Sequence, residues 1–187
     1  MGVSIAAAVA FFLVAGLLLY LIIMYNELVR LRNDNDRAWA NIDVLLKQRR
    51  DEIPNLVETV KGYMQHERQT LESVTQARAA SMNAASIGQK AQAELMMSGA
   101  LRGLFAVAEN YPQLRASENF TALQKSLAEI EDNLQNARRY YNAVVRDLNT
   151  TIQSFPSNLV AGMFGFQPRA FFQLDAAAER EAPAVKF

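Results

Sequence analysis

The sequence has no cysteine, one histidine and one tryptophan in 187 residues, and its 19 basic side chains are balanced by 19 acidic ones. Without cysteine the chain forms no disulfide and offers neither a thiolate metal ligand nor a thiol nucleophile. Because the formal net charge is zero, the chain lacks the basic surface with which nucleic-acid-binding proteins contact phosphates. These absences exclude the disulfide-rich, thiolate-metal and nucleic-acid-binding classes.

Formal charge is also absent from residues 3–24, a run of 22 mainly aliphatic and aromatic residues. As a helix this run would be about 33 Å long, enough to cross a hydrocarbon core of about 30 Å. The next stretch, residues 25–32, contains no glycine or proline that would stop the helix at the membrane surface. We therefore predict a transmembrane anchor over residues 1–24 that contacts the lipid bilayer through residues 3–24 and continues into a polar helix.

A retained anchor is favoured over a cleaved signal peptide by three features of this run. No lysine or arginine precedes it, it is longer than the apolar part of a usual signal peptide, and residues 21–26 offer no small-residue cleavage site. Arg30, Arg32 and Arg37 follow its other end. By the positive-inside rule we expect the N-terminus outside and the remaining domain in the cytoplasm.

Beyond the anchor, apolar residues at three- and four-residue steps predict an amphipathic helix over residues 25–80. Pro54 interrupts this helix, but the apolar phase continues across it, so we expect a kink rather than a reversal. Small and polar residues at 81–89 predict a turn. A second helix is expected over residues 90–110.

The third helix, predicted over residues 117–154, has a sustained seven-residue apolar repeat that favours coiled-coil-like packing. Ser117 is its expected N-cap. With three long helices running away from, towards and away from the membrane, Phe155 would lie at the end of the domain far from the bilayer. The bundle is expected to span residues 25–165.

The C-terminal segment is rich in phenylalanine, with six of the ten in the chain from Phe155 onward. It is predicted to contain a short helix over residues 158–164 and an irregular tail over residues 166–187. So much apolar surface must be covered, either by the bundle or by the headgroup region of a membrane. We favour a tail docked on protein, because glycine and proline interrupt the segment and it lacks a long basic amphipathic face. The side chains concerned are Leu159, Val160, Met163, Phe164, Phe166, Phe171 and Phe172.

We predict no catalytic, cofactor-binding or metal-binding residues. His66 is the only histidine, and residue 63 is Tyr63, whereas di-metal helical bundles use two Glu-x-x-His units. The acidic pairs at 51–52 and 131–132 are adjacent in sequence, so they point about 100° apart on a helix and are interpreted as solvated faces.

Two further residues on the first helix have structural interpretations. Trp39 lies about 22 Å beyond the membrane end of a straight helix, which favours packing between helices over an interfacial role. Asn35 lies on the apolar seam between Leu31 and Ala38. It is either an exposed stalk residue or a buried amide that fixes the register between identical helices of an oligomer. The pair at residues 96–97 is interpreted as core methionine.

The sequence also resembles the LemA family over nearly its whole length. The residues that carry the resemblance are Tyr25-Asn26-Glu27-Leu28-Val29, Ala38-Trp39, Ile53-Pro54-Asn55-Leu56-Val57, Arg138-Arg139-Tyr140-Tyr141-Asn142, and Phe155-Pro156-Ser157-Asn158-Leu159-Val160. This resemblance implies an all-α fold, with a single transmembrane helix followed by a long-helix, up-and-down bundle of the four-helix type. It also implies no catalytic residues. Relatives in magnetic bacteria are associated with magnetosome membrane formation, and the family is linked to membrane proteases by gene neighbourhood.

The resulting hypothesis is a non-enzymatic, homo-oligomeric scaffold in the bacterial inner membrane that organises or shapes membrane. An adaptor or regulator of a membrane protease or another envelope partner is the alternative. An enzyme with a site in the bundle core is the third hypothesis, and its usual ligands are missing.

Overall fold

In the computed structural model, residues 2–64 and 66–173 are described, and every regular element among them is a helix. The six helices are α1 (Gly2–Lys61), α2 (Arg68–Asn83), α3 (Ile87–Ala108), α4 (Pro112–Arg115), α5 (Glu118–Gln153) and α6 (Ser157–Met163). The predicted all-α class is confirmed, with one long N-terminal helix that is apolar at its start.

The chain folds as two compact units that share the two longest helices. The first unit consists of residues 1–41 and 139–170, and the second of residues 42–138 and 171–187. Both α1 and α5 therefore begin in one unit and end in the other.

Helix α1 is long and apolar enough over its N-terminal part to cross a membrane. The large apolar side chains of this part are exposed, as in Phe12 and Leu13. Further along, α1 becomes amphipathic and buries one stripe. The buried apolar members of that stripe are Leu28, Ala38, Ile42, Leu45, Leu46, Ile53, Leu56 and Val60.

The prediction of one helix over residues 25–80 is wrong, because α1 ends at Lys61 and α2 begins at Arg68. Gly62 follows the last residue of α1, and the Val60 carbonyl accepts hydrogen bonds from both Tyr63 N–H and Met64 N–H as the helix closes. Glycine has the weakest helix propensity after proline. Met64 is fully buried in this connection, so the apolar period carries on through the break and conceals it in the sequence.

Pro54 lies inside α1 on its exposed side, and the chain does not reverse there. Proline has no N–H, so the Arg50 carbonyl one turn earlier loses its helical donor. Arg78 of α2 supplies a donor instead, with its Nε 3.1 Å from that carbonyl oxygen. In return, Arg50 donates from Nη1 to the Ser81 carbonyl at 3.0 Å. The gap in the α1 ladder thus becomes an attachment point for α2.

The second unit packs α2, α3, α4 and parts of α1 and α5 around one apolar core. Short connections at residues 62–67 and 84–86 join successive helices, as in up-and-down bundles. Ser86 and Gln89 form a capping box that begins α3. The core consists of Ile53, Leu56, Val60, Met64, Val74, Ala77, Met97, Leu101, Leu104, Ala108, Leu114, Phe120 and Leu127.

The extra reversal at residues 62–67 changes the direction of the last long helix. In the first unit, Leu148 of α5 packs with Leu28 of α1, so the end of α5 lies beside the start of the amphipathic part of α1. The expectation that Phe155 lies far from the apolar span is therefore wrong. It rested on a count of three long helices, and the break after Lys61 makes four.

The contact between Arg78 and the Arg50 carbonyl predicts energetic coupling between Pro54 and Arg78. Arg78→Met should lower the free energy of unfolding by about 1 kcal/mol, the usual net value of a hydrogen bond. In a Pro54→Ala background, where an N–H again serves the Arg50 carbonyl, the same substitution should cost about 0.5–1 kcal/mol less. Urea unfolding of the four variants in detergent, followed by circular dichroism, measures the coupling. An equal cost of Arg78→Met in both backgrounds would contradict it.

Candidate functional site

The end of the apolar span is covered by the C-terminal part of the chain within the first unit. This membrane-proximal cluster has a buried centre of Leu28, Leu148, Val160, Ala161 and Phe166. Partly buried apolar side chains surround it, namely Tyr20, Leu21, Met24, Val29, Leu31 and Ile152. Residues from α1, α5 and α6 and the segment after α6 thus form a small core next to the span.

Helix α6 ends in a turn that directs the following segment back towards α1. Gly165 has a φ of 71°, a left-handed conformation that glycine adopts without steric cost. Phe166 N–H donates to the Ala161 carbonyl at 2.9 Å, and Gly165 N–H to the Gly162 carbonyl at 3.4 Å. This is the Schellman pattern of helix ends. It brings the Phe166 ring within 6.0 Å of the Tyr25 ring.

The segment after the turn is held by paired hydrogen bonds to α5. Asn149 Nδ2 donates to the Arg169 carbonyl at 2.9 Å, and Arg169 N–H donates to Asn149 Oδ1 at 2.8 Å. Tyr141 Oη donates to the Ala170 carbonyl at 3.0 Å, and the Arg169 guanidinium lies 2.8 Å from Asp36 of α1. Burial at this contact raises the pKa of Tyr141 above its ordinary value.

The apolar C-terminal side chains divide into docked and exposed sets. Val160, Phe166 and, in the second unit, Phe172 are buried. The Phe172 ring lies 5.8 Å from the Arg138 guanidinium carbon. The exposed members are Phe155, Leu159, Met163, Phe164 and Phe171. Of the tail that was expected to dock on protein, residues 166–170 and Phe172 do so. Residues 174–187 lie outside the described part of the chain.

Asn35 is fully buried in the first unit. Its Nδ2 donates to the Leu31 carbonyl at 2.8 Å and to the Val144 carbonyl of α5 at 2.9 Å. The interpretation of Asn35 as an exposed stalk residue is wrong. The amide also bonds α5 of the same chain, so its contact is intramolecular and not the contact between identical helices that was the alternative.

The second unit contains a network of four charged side chains, of which Arg49, Glu94 and Arg138 are buried and Glu131 is partly buried. Arg49 Nη1 lies 2.7 Å from both Glu94 Oε2 and Glu131 Oε2, and Arg138 Nη2 lies 3.3 Å from Glu131 Oε1. Arg49 also donates to Ser98 Oγ at 3.2 Å. The network joins α1, α3 and α5. With two positive and two negative groups it is neutral as a whole.

Burial is the main cause of the pKa shifts of Glu94 and Arg138 in this network. It raises the pKa of the Glu94 carboxyl above its ordinary value of 4.5, and the charge of Arg49 opposes that rise. Burial also lowers the pKa of the Arg138 guanidinium, against the charge of Glu131. Arg49 is thus the group that most opposes the rise in the pKa of Glu94.

A cavity of about 640 Å³ lies beside the network in the second unit. Its wall includes Arg49, Ser98 and Glu131, together with apolar side chains such as Phe105 and Phe120. Both charged groups are already engaged in ion pairs with each other. Arg49 is a hydrogen-bond donor to Ser98 Oγ, and the Glu131 carboxylate is taken up by its ion pair with Arg49, so the network joins helices.

The interpretation of the two acidic pairs as solvated faces holds for one residue of each pair and is wrong for the other. Asp51 and Asp132 are exposed, but Glu131 belongs to the network. Glu52 is half-buried and accepts a hydrogen bond from Ser126 of α5 at 3.4 Å. The 100° offset between adjacent residues holds, and it turns one carboxylate of each pair inward.

The other residues singled out in the sequence have structural surroundings. His66 is exposed in the connection between α1 and α2 rather than on a helix. Trp39 packs on Tyr141, with 5.4 Å between ring centroids. Met97 is fully buried, whereas Met96 is 49% exposed. Within residues 2–64 and 66–173, no three His, Cys, Asp or Glu side chains converge as metal ligands.

The surroundings of Asn35 predict opposite tolerances to two substitutions. Asn35→Asp replaces a donor with a carboxylate facing two carbonyl oxygens, and should lower the free energy of unfolding by on the order of 3 kcal/mol. Asn35→Leu removes the polar group altogether and should cost about 1 kcal/mol. Asn33→Asp is the matched control, because Asn33 is exposed on the same helix. Urea unfolding measures the stability of all three variants. Equal effects of the two Asp variants would contradict the role of Asn35 as a buried donor to two carbonyl groups.

The network predicts a pH-dependent cost of removing Arg49. Because the folded-state pKa of Glu94 is raised, the stability due to this group is full at low pH and falls as pH rises through that pKa. Arg49→Met removes the opposing charge and should cost about 3–5 kcal/mol at pH 7, where Glu94 must either remain a buried charge without this ion pair or take up a proton. The cost should shrink towards pH 4.

The control for Arg49→Met is Lys125→Met, which removes the exposed Lys125–Glu129 pair of α5. It should change stability little at either pH. Adding Glu94→Gln should restore part of the stability that Arg49→Met loses at pH 7. A deficit independent of pH, unrelieved by Glu94→Gln, would show that lost packing rather than charge explains the effect.

Comparison with known proteins identifies relatives of this helical arrangement. The chain is 26% identical over 205 residues to magnetosome protein MamQ 2 of Paramagnetospirillum magneticum, an alignment that covers 96% of this chain and 73% of that protein. It is 29% identical over 153 residues to protein LemA of Metamycoplasma hominis, covering 79% of this chain and 68% of that protein. The LemA family profile matches residues 38–187. On that match over most of its length, this chain belongs to the LemA family.

Proposed function

We propose that this protein is a membrane-anchored, non-enzymatic scaffold that self-assembles and organises or shapes the membrane, or the complexes, around it. The observation that carries the proposal is the continuity of α1. The helix passes from its apolar part into the bundle without a break, and the C-terminal segment packs on its last membrane turns. Within the first unit, α5 and α6 are thus held beside the anchor.

The use of the buried charges supports a non-enzymatic role. Glu94 and Glu131 are the carboxylates of the second-unit network, and both are paired with arginine. A catalytic acid or base needs a proton position that a substrate can reach. These two carboxylates are instead committed to holding helices together.

The relatives support a membrane setting. Two of the compared proteins are named magnetosome proteins, one from Paramagnetospirillum magneticum and one from Magnetospirillum gryphiswaldense. The second is 22% identical, with 96% of this chain and 73% of that protein aligned. We extend from these names only the membrane setting.

An adaptor for a membrane protease or another envelope partner is the second candidate function, and one observation favours it. Between residues 26 and 61, Val44 is the one large apolar side chain of α1 that is exposed. A homo-oligomer formed along α1 would need a wider apolar stripe. The adaptor would act as a monomer or dimer.

We propose the bacterial inner membrane as the location, with the bundle in the cytoplasm. Arg30 and Arg37 are exposed shortly after the span, and Arg32 lies between them, which supports this orientation by the positive-inside rule. Protease added to intact spheroplasts should then spare the bundle.

The oligomeric state decides between the scaffold and the adaptor. Light scattering of the full chain in detergent, corrected for the bound micelle, should give a uniform assembly of several copies if the scaffold is correct. A monomer would contradict the scaffold and favour the adaptor. Val44→Gln tests whether the exposed side chain on α1 carries the assembly. Lys47→Gln, also exposed on α1, is its matched control.

A further inference from the structure

We propose that the apolar side chains at and beside α6 insert into the headgroup region of the bilayer, so that the protein contacts its membrane at a second point. The inference rests on the membrane anchoring proposed above. These side chains, named the α6 surface, are Phe155, Leu159, Met163 and Phe164, which are 81%, 61%, 69% and 53% exposed. Side chains in the apolar span have the same exposure, with Phe11 at 69%.

The position of α6 along the span supports this contact. The buried side of α6, with Val160 and Ala161, packs in the cluster that includes Leu21 and Met24 of the span. On the exposed side, the Phe164 ring lies 4.8 Å from the Tyr25 ring. Tyr25 follows Leu21 by four residues, a rise of about 6 Å along the helix. The headgroup region is of similar thickness, since it adds roughly 5–7 Å to each side of the hydrocarbon core. Phe164 therefore lies at the depth where the span leaves the hydrocarbon, and the proposal places the rest of the α6 surface in the same layer.

The size of the α6 surface favours lipid over a second copy of the chain. A fully exposed aromatic side chain offers about 150–250 Å², so these four partly exposed side chains present on the order of 500 Å². Each partner of a stable protein dimer buries about 800 Å². Contact with lipid does not require this area, because the bilayer that surrounds the span also covers a small apolar surface beside it.

Charged and aromatic groups next to the α6 surface suit a lipid interface. Arg32 lies over the Phe166 ring, 5.5 Å from its centroid, and the Arg30 side chain, which pairs with Glu27, is still 65% exposed. Tyrosines at 20 and 25 flank the end of the span, as aromatic residues do at membrane interfaces. Arginines in this layer attract anionic headgroups. The expected partner is a bilayer that contains anionic phospholipid.

The absence of cysteine makes a single-site test direct. Met163→Cys and Leu159→Cys in the full chain carry a nitroxide label at the α6 surface. Tyr140→Cys is the control, because Tyr140 is 58% exposed in the same unit but lies next to Tyr141, level with Trp39. Phe12→Cys is the reference for lipid. Each variant is placed as one copy per nanodisc of phosphatidylethanolamine and phosphatidylglycerol, and collisions with oxygen and with a water-soluble nickel complex are measured.

The labels at 159 and 163 should collide several-fold less with nickel, and more with oxygen, than the label at 140. If the label at 12 is lipid-like while those at 159 and 163 match the label at 140, the α6 proposal is overturned and the anchor stands. If the label at 12 is also accessible to nickel, the anchoring itself is overturned, and the α6 contact with it. A second copy as the true occupant would leave 159 and 163 open to nickel in single-copy discs.

Discussion

A backbone inside hydrocarbon must satisfy its hydrogen bonds within itself, and a helix does so at every residue. Helix α1 keeps that arrangement beyond the apolar span and runs to Lys61, except at the Arg50 carbonyl, for which Pro54 supplies no N–H. Because a helix fixes the angle between successive side chains, the phase of the apolar stripe on α1 decides which of its side chains pack in the core of each unit. Packing in both units therefore depends on the phase of one helix.

Polar side chains within the apolar stripe of α1 fix its register against the helices that pack on it. Asn35 and Arg49 both occupy stripe positions, and both are buried. Asn35 bonds the backbone of α5, and Arg49 pairs with carboxylates on α3 and α5. Sliding one helix along another by a single turn would break these contacts and leave buried polar groups without partners, which is costly. Leucine at the same positions would pack without opposing such a slide.

The helices with clean apolar periods were predictable from the sequence. The repeat in α5 places Leu127, Leu134 and Leu148 in the core, as observed, and Ser117 accepts a hydrogen bond from Phe120 N–H at the start of that helix. The break after Lys61 was missed because Met64 continues the apolar spacing. It was the break, and not the residues of α5, that reversed the expected position of the C-terminal segment.

The buried network was missed for a different reason. Arg49 lies three residues after Leu46 and four before Ile53, so it falls on the apolar stripe of α1. A charge at such a position was the available signal, but its partner Glu94 lies 45 residues away. Periodicity identifies which face of a helix is buried, not which distant residue meets it. The exposed α6 surface likewise depends on the direction of α5, which no local pattern specifies.

The absence of a break between the apolar part of α1 and residue 41 has a mechanical consequence. A membrane helix longer than the local hydrocarbon thickness accommodates the difference by tilting. In this chain such a tilt cannot be absorbed at a flexible joint, since the helix is continuous and α5 and α6 are packed against it. With the span in a membrane, as proposed, the first unit inclines together with its span, and its inclination varies with the thickness of the bilayer.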